Sequence, residues 1–353
     1  MFVDKTSLIR TLFLTVVAEV ISFGVLIPIA PLLFTEPSSS FFILPEGLTI
    51  NNGYIILGLL IGIYPLGQFF ATPILGELSD IYGRKDVIKL SIAGTVISSL
   101  IFAYGIMAAS IPILFVSRLV NGLTGGLISV AQATIADITE NGNKSKNFGL
   151  IGAAFGIGLI MGPFLGGFLS SGFSKYFTAV TPFMFAAFLS ALSLVYSQLK
   201  LKETSPMEQK KVNWKKPFTQ LRKGLNLPGL KKLFGANFFY FSGFAFFTTF
   251  IPVFLVKKFS FTQFDIGNFF LYIGVLLIFG QGYLVPKVFE RVKEETLMPI
   301  TLFFTGLFVF LQPIPNSLIL FLVFSTLFSL NNSLTQVSLN TLVSNKAKKE
   351  NQG

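Results

Sequence analysis

Gly76-Glu77-Leu78-Ser79-Asp80-Ile81-Tyr82-Gly83-Arg84-Lys85 stands between two long apolar runs, 55–75 and 88–109. Its spacing, Gly-x-x-x-Asp-x-x-Gly-Arg-Lys, is that of a charge latch between helices. Gly76 and Gly83 let backbones turn or approach closely at a membrane surface. Asp80 can accept from donors at a neighbouring helix terminus, and Arg84 can clamp a carboxylate. A plain positive loop would need only Arg84 and Lys85, so the two glycines and Asp80 ask for something more specific.

Working outward, the runs on either side belong to a chain of 353 residues that is 52% hydrophobic and 12% charged. That is far from the composition of a soluble domain. Crossing a ~30 Å hydrocarbon core takes ~17–25 residues of helix, and lipid leaves helices or closed barrels as the only ways to satisfy the backbone. The runs are too long for barrel strands. They predict ten transmembrane helices, at 8–33, 55–75, 88–109, 111–135, 148–169, 177–199, 233–256, 264–285, 297–311 and 318–343. The first run exceeds the ~7–15 apolar residues of a signal peptide and carries Glu19 in its middle, so it reads as a span.

Positive charge fixes the expected orientation, because Lys- and Arg-rich loops stay cytoplasmic. All Lys and Arg fall on the side of the N-terminus except Lys175, Lys257, Lys258 and the membrane-embedded Arg118. Both termini are therefore expected in the cytoplasm, in a cytoplasmic (inner) membrane. The net charge of +11 is a topology signal and implies no nucleic-acid partner.

The chain has no Cys and no His. This removes disulfides, thiol nucleophiles, imidazole bases and His or Cys metal sites. No nucleophile stands beside a plausible base, so an enzyme is not expected, nor any cofactor. Proton handling would fall to carboxylates.

A charged and polar linker, 200–232, separates an N-terminal six-helix bundle (1–199) from a C-terminal bundle of four helices (233–353). Gly67, Gln68, Pro73 and Glu77 recur at one offset as Gly280, Gln281, Pro286 and Glu290, where a six-helix duplication would place them. Against that pattern the second half is two helices short, so the chain reads as truncated after its tenth span.

The loop at 76–85 resembles the signature between helices two and three of the major facilitator superfamily. Gly24, Pro28 and Pro31 resemble the first-helix pattern of its drug/proton antiporters. Arg118 with Gly122, Gly125 and Gly126 resembles the fourth-helix motif that the family associates with proton transfer. Gly158, Gly162, Pro163, Gly166 and Gly167 resemble the fifth-helix antiporter motif, whose prolines and glycines kink a helix and thin its face. Ala136, Asp137, Ile138, Thr139, Phe148 and Gly149 point toward the tetracycline-exporter branch. The resemblance implies an all-α fold of two rocking halves and a small organic substrate. It departs from that branch in one respect: no acidic residue lies in 88–109 or 297–311, so tetracycline itself is not implied.

Two ionisable residues lie deep in the membrane. Glu19 sits about 16 Å in from the cytoplasmic side and Arg118 about 12 Å from the other, at ~1.5 Å per residue, so their depths nearly coincide. Charges at such depth must be paired or hydrated. Glu19 is expected to alternate between a protonated form and a charged form partnered by Arg118 or a cationic substrate; a static Glu19–Arg118 pair is the structural alternative. Asn121, Gln132, Asn237, Tyr240 and Gln336 are candidate cavity residues, with Asn331, Asn332 and Asn340. The amides suit a sugar or polar metabolite, while 43 Phe suit a lipophilic one. The expectation is a proton-coupled exporter of drug-like compounds, acting as a monomer. A sugar or metabolite uptake carrier, or a truncated protein without transport, are the alternatives.

Overall fold

The computed structural model describes residues 5–139, 144–204, 219 and 231–346, and the described residues contain helices and no strand. Among the described residues, ten stretches are long and apolar enough to cross a membrane. Three of them are interrupted, where the sequence suggests continuous helices. The first is α1 (Lys5–Gly24) followed, after turns, by α2 (Ala30–Phe34). Pro31 falls in the first turn of α2, where its missing N–H has no intrahelical partner to lose. The fourth is α5 (Ile111–Thr124) and α6 (Leu127–Ile138), broken at Gly125 and Gly126.

The second span, α3 (Ile50–Tyr82), opens on a capping box in which Thr49 and Asn52 exchange hydrogen bonds. It runs 33 residues, through Pro65 and Pro73, and ends at Gly83. The opening motif is therefore helical up to Tyr82, and the loop expected there shrinks to Gly83. Next come α4 (Arg84–Met107), α7 (Lys144–Leu169), α8 (Thr181–Lys200) and α9 (Lys231–Phe259). The eighth span is α10 (Gln263–Phe279), a π-helical turn (Gly280–Leu284) and α11 (Val285–Phe289). The π turn precedes Pro286, and Val285 N donates five residues back to Gly280 O. The last two are α12 (Glu294–Leu311) and α13 (Leu318–Lys346).

The chain divides into two compact units, Met1–Pro217 with Thr262–Asn268, and Phe218–Phe261 with Phe269–Gly353. In the first, α1 packs along α7 and α8, α3 along α5, and α4 along α5 and α8. A core built from Leu8, Leu12, Val16 and Val20 of α1 meets Leu75, Ile88, Leu127 and Ile151. Lipid is as apolar as these side chains, so close packing and hydrogen bonds, more than water exclusion, hold such helices together. Two hydroxyl pairs tie α1 to α8: Thr15 with Ser197 at 3.1 Å and Ser22 with Ser190 at 3.0 Å. Ser117 on α5 donates to Ser98 O on α4 at 2.6 Å. In the second unit α12 and α13 pack together, and Thr305 and Thr335 hydrogen-bond between them at 3.0 Å.

Two of the four repeated residues make comparable contacts in each unit. Gly67 lies against the Gly122 backbone of α5, and Gly280 against Ser333 of α13. Gln68 Nε2 donates to Gly125 O at 2.9 Å, and Gln281 Nε2 to Gln336 Oε1 at 3.3 Å. Most of the linker, including Trp214, lies outside the described residues.

Candidate functional site

At the end of α3 the sequence latch has a definite geometry. Arg84 Nη1 meets Asp80 Oδ1 at 2.6 Å across the break at Gly83, and Arg84 Nε meets Asp137 Oδ2 of α6 at 3.0 Å. Arg84 also donates to Ser79 Oγ. One guanidinium thus joins the second, third and fourth spans. Lys85 Nζ donates to Gln198 O of α8 at 3.1 Å. Gly83 has φ +103°, outside the range of L side chains, and Glu203 sits over it. Glu203 accepts from the N–H groups of Arg84 at 2.8 Å and Lys85 at 3.1 Å, so a carboxylate caps the positive end of α4. Gly76 plays no such part: open space surrounds the position a Cβ would take. Asp137 and Glu203 were not legible as latch residues, because each is distant in sequence from 76–85.

Deeper in the membrane, Glu19 is 9% exposed and Arg118 4% exposed, and they form no ion pair with each other. Thr95 of α4 donates to Glu19 Oε1 at 2.7 Å, and its hydroxyl also lies 3.3 Å from Ser91 O. Arg118 lies over the Tyr64 ring at 4.7 Å and the Phe23 ring at 5.7 Å, a cation–π seat. The contact of Gly67 with Gly122 brings α3 and α5 together there, and Tyr64 accepts from Gln68 at 3.2 Å. Depth alone asked only that each charge be paired or hydrated; in the structure the carboxylate is held by a hydroxyl and the guanidinium by rings. Only the fold could reveal Thr95 and Tyr64, which look like ordinary span residues in sequence.

The fifth-span glycines line a seam with the first span. A Cβ on Gly162 would come within 2.7 Å of Gly24 Cα, one on Gly158 within 2.6 Å of Val20 Cβ, and one on Gly166 would meet Val25 backbone. Residues 262–268 belong to the same unit: Gly167 faces the Gln263 backbone, Gly267 faces Pro163 O, and Gln263 Nε2 donates to Ser170 O at 2.8 Å.

The candidate cavity residues separate into different surroundings. Asn121 is buried, one turn from Arg118. Gln132 is exposed on α6. In the second unit Tyr240 donates to the buried Asn332 Oδ1 at 2.6 Å, and Gln336 pairs with Gln281. Asn237 Oδ1 is buried without a hydrogen-bond partner.

Among the described residues, ten apolar helices long enough to cross a membrane, with two buried charges among them, mark a multi-pass membrane protein. The chain belongs to the Major Facilitator Superfamily, whose family model matches residues 12–353. It is 29% identical over 303 residues to the class H tetracycline resistance protein of Pasteurella multocida, covering 84% of this chain and 70% of that one. It is 36% identical over 224 residues to the class G protein of Vibrio anguillarum, covering 62% of this chain and 52% of that one. Among solved structures, the xylose transporter XylE of E. coli in a partially occluded inward-open conformation superimposes with TM-score 0.74 at 15% identity, covering 96% of this chain and 84% of that one. The human organic anion transporter MFSD10 superimposes with TM-score 0.70 at 21% identity, covering 96% and 85%. These likenesses to solved structures carry the fold. Family and relatives alike are transporters, and a small molecule is the expected cargo.

Proposed function

We propose that this protein is a proton-coupled secondary transporter that exports drug-like or other small organic compounds across the cytoplasmic membrane, as a monomer with both termini inside. The observation that carries the reading is the state of Glu19, buried and bonded to Thr95 with no ion pair to a cation among the described residues. A carboxylate in an ion pair can be protonated only by breaking the pair, whereas one held by a hydroxyl can exchange its proton and remain hydrogen-bonded. Names of relatives support export: tetracycline resistance proteins, and a multidrug resistance protein 2 of Bacillus subtilis at 26% identity. The latch of Asp80, Arg84 and Asp137 would stabilise one access state, and the glycine seam of α7 would let the helices move in another.

The test is reconstitution of the full chain in vesicles carrying a pH-sensitive dye, with tetracycline and ethidium as probes. Addition of a transported probe should release the imposed pH gradient, and Glu19→Gln should abolish that coupling. Full coupling in Glu19→Gln would remove Glu19 from the role. A second reading, uptake of a sugar or other polar metabolite, is favoured by the hydrogen-bonding groups of the second unit, Tyr240–Asn332 and Gln281–Gln336. Intact cells distinguish the two, since uptake accumulates solute and export depletes it.

A further inference from the structure

Arg118 poses a problem that the proton reading does not solve. Its Nε and Nη2 atoms are buried and have no hydrogen-bond partner. These are the two nitrogens along one edge of the guanidinium, whose parallel N–H bonds match the two oxygens of a carboxylate. Rings of Phe23 and Tyr64 hold the plane of the group, so the edge is pre-organised as well as unpartnered. Polar groups of the same bundle have partners of their own, and no hydrogen bond from any of them to this edge is seen. Glu19 accepts from Thr95, Tyr64 Oη accepts from Gln68, and Ser117 donates to Ser98 O. Leaving a desolvated cation with a free edge is costly at membrane depth. The cost is explained if something arrives with the complementary charge. The residue also lies on α5, the helix that ends at the break at Gly125 and Gly126, and broken helices in transporters surround ligand sites.

We propose that the Nε/Nη2 edge of Arg118 is a binding subsite for the carboxylate of an organic anion carried by this protein. This deepens the transport reading and rests on it only for the statement that the ligand is carried. Tyr64 and Phe23 act as positioning residues that keep the guanidinium plane fixed. Asn121, buried one turn further along α5, lies on the same stretch of helix face. A neutral amide of the same shape offers one oxygen and an NH2 where the edge needs two acceptors, so discrimination should be strong.

Binding is measured on the detergent-purified full chain by calorimetry, using benzoate, 2-naphthoate and decanoate, each against its own primary amide. At least one carboxylate should bind roughly tenfold or more tightly than its amide, the discrimination expected of a bidentate charge-assisted pair. Arg118→Gln should abolish that preference. Arg118→Lys keeps the charge without the fork and should retain only part of it, so a variant that fails to fold does not decide the matter alone. Equal binding of every acid and its amide to the wild type overturns the proposal, as does a preference that survives Arg118→Gln. A preference absent from the wild type and appearing only in Glu19→Gln also overturns it, since Glu19 would then be the natural occupant of the edge. Flux of the bound carboxylate into vesicles is a separate measurement. Binding without flux in any gradient would count against the transport reading and leave the subsite standing.

Discussion

Gly76 and Gly83 share a letter in one motif and differ in what the backbone asks of them. Gly83→Ala forces a side chain into φ +103° and against Glu203, a strain of about 1–3 kcal/mol. Gly76→Ala adds a methyl to open space on a helix. The first should lower the melting temperature and slow transport, while the second should be near wild type; equal effects would show that the α3–α4 corner is not formed as described. Arg84→Ala removes ion pairs to both Asp80 and Asp137, whose carboxylates are partly exposed, so each is worth about 0.2–1 kcal/mol. Transport should fall several-fold, because ~1.4 kcal/mol is tenfold in an equilibrium. Asp137→Asn should reproduce part of that loss, and an unimpaired Asp137→Asn would separate α6 from the latch. Thr95→Val keeps the branched shape and deletes the hydroxyl on Glu19. Its flux should show an altered pH profile, with Thr95→Ser restoring the original; an unchanged profile in Thr95→Val would uncouple Thr95 from Glu19.

Between helices, close approach decides which small residues matter. Gly162 and Gly24 let α7 and α1 touch at their backbones, whereas Gly152 and Gly156 on the same helix meet nothing. Gly162→Val should therefore push the first and fifth spans apart and lower both stability and transport. Gly152→Ala should cost almost nothing, since alanine is the better helix former by about 1 kcal/mol. If both variants behaved alike in a detergent melting series, the seam between α1 and α7 would be wrongly drawn. The motif pattern in the sequence grouped Gly158, Gly162, Pro163, Gly166 and Gly167, but did not tell what each glycine faces. Interruptions at this scale were not legible. Spans one and four read as continuous in the sequence and are broken in the structure, because a run of apolar residues looks the same whether its helix is continuous or broken.

At the scale of the molecule, the recurrence of Gly67 and Gln68 as Gly280 and Gln281 becomes a structural statement. In each unit the glycine admits a neighbouring span and the glutamine bonds to it. Orientation is the prediction that belongs here. The chain contains no Cys, so single cysteines report cleanly. Lys175→Cys should react with a membrane-impermeant thiol reagent in intact cells, and Glu290→Cys only after permeabilisation. The reverse pattern would overturn the orientation drawn from Lys and Arg.

The sequence by itself determined that this chain is a helical, multi-pass membrane protein and where its apolar spans fall. Those properties follow from lipid, backbone satisfaction and charge, which act on local segments and need no partner. The tertiary structure alone decided that Arg84 reaches Asp137, that Glu203 caps α4, and that Glu19 rests on Thr95 while Arg118 lies over Tyr64 and Phe23. Each of these joins residues far apart in the chain. Depth in the membrane can be counted along one helix, but which face of that helix meets which neighbour is set by the packing of several helices together.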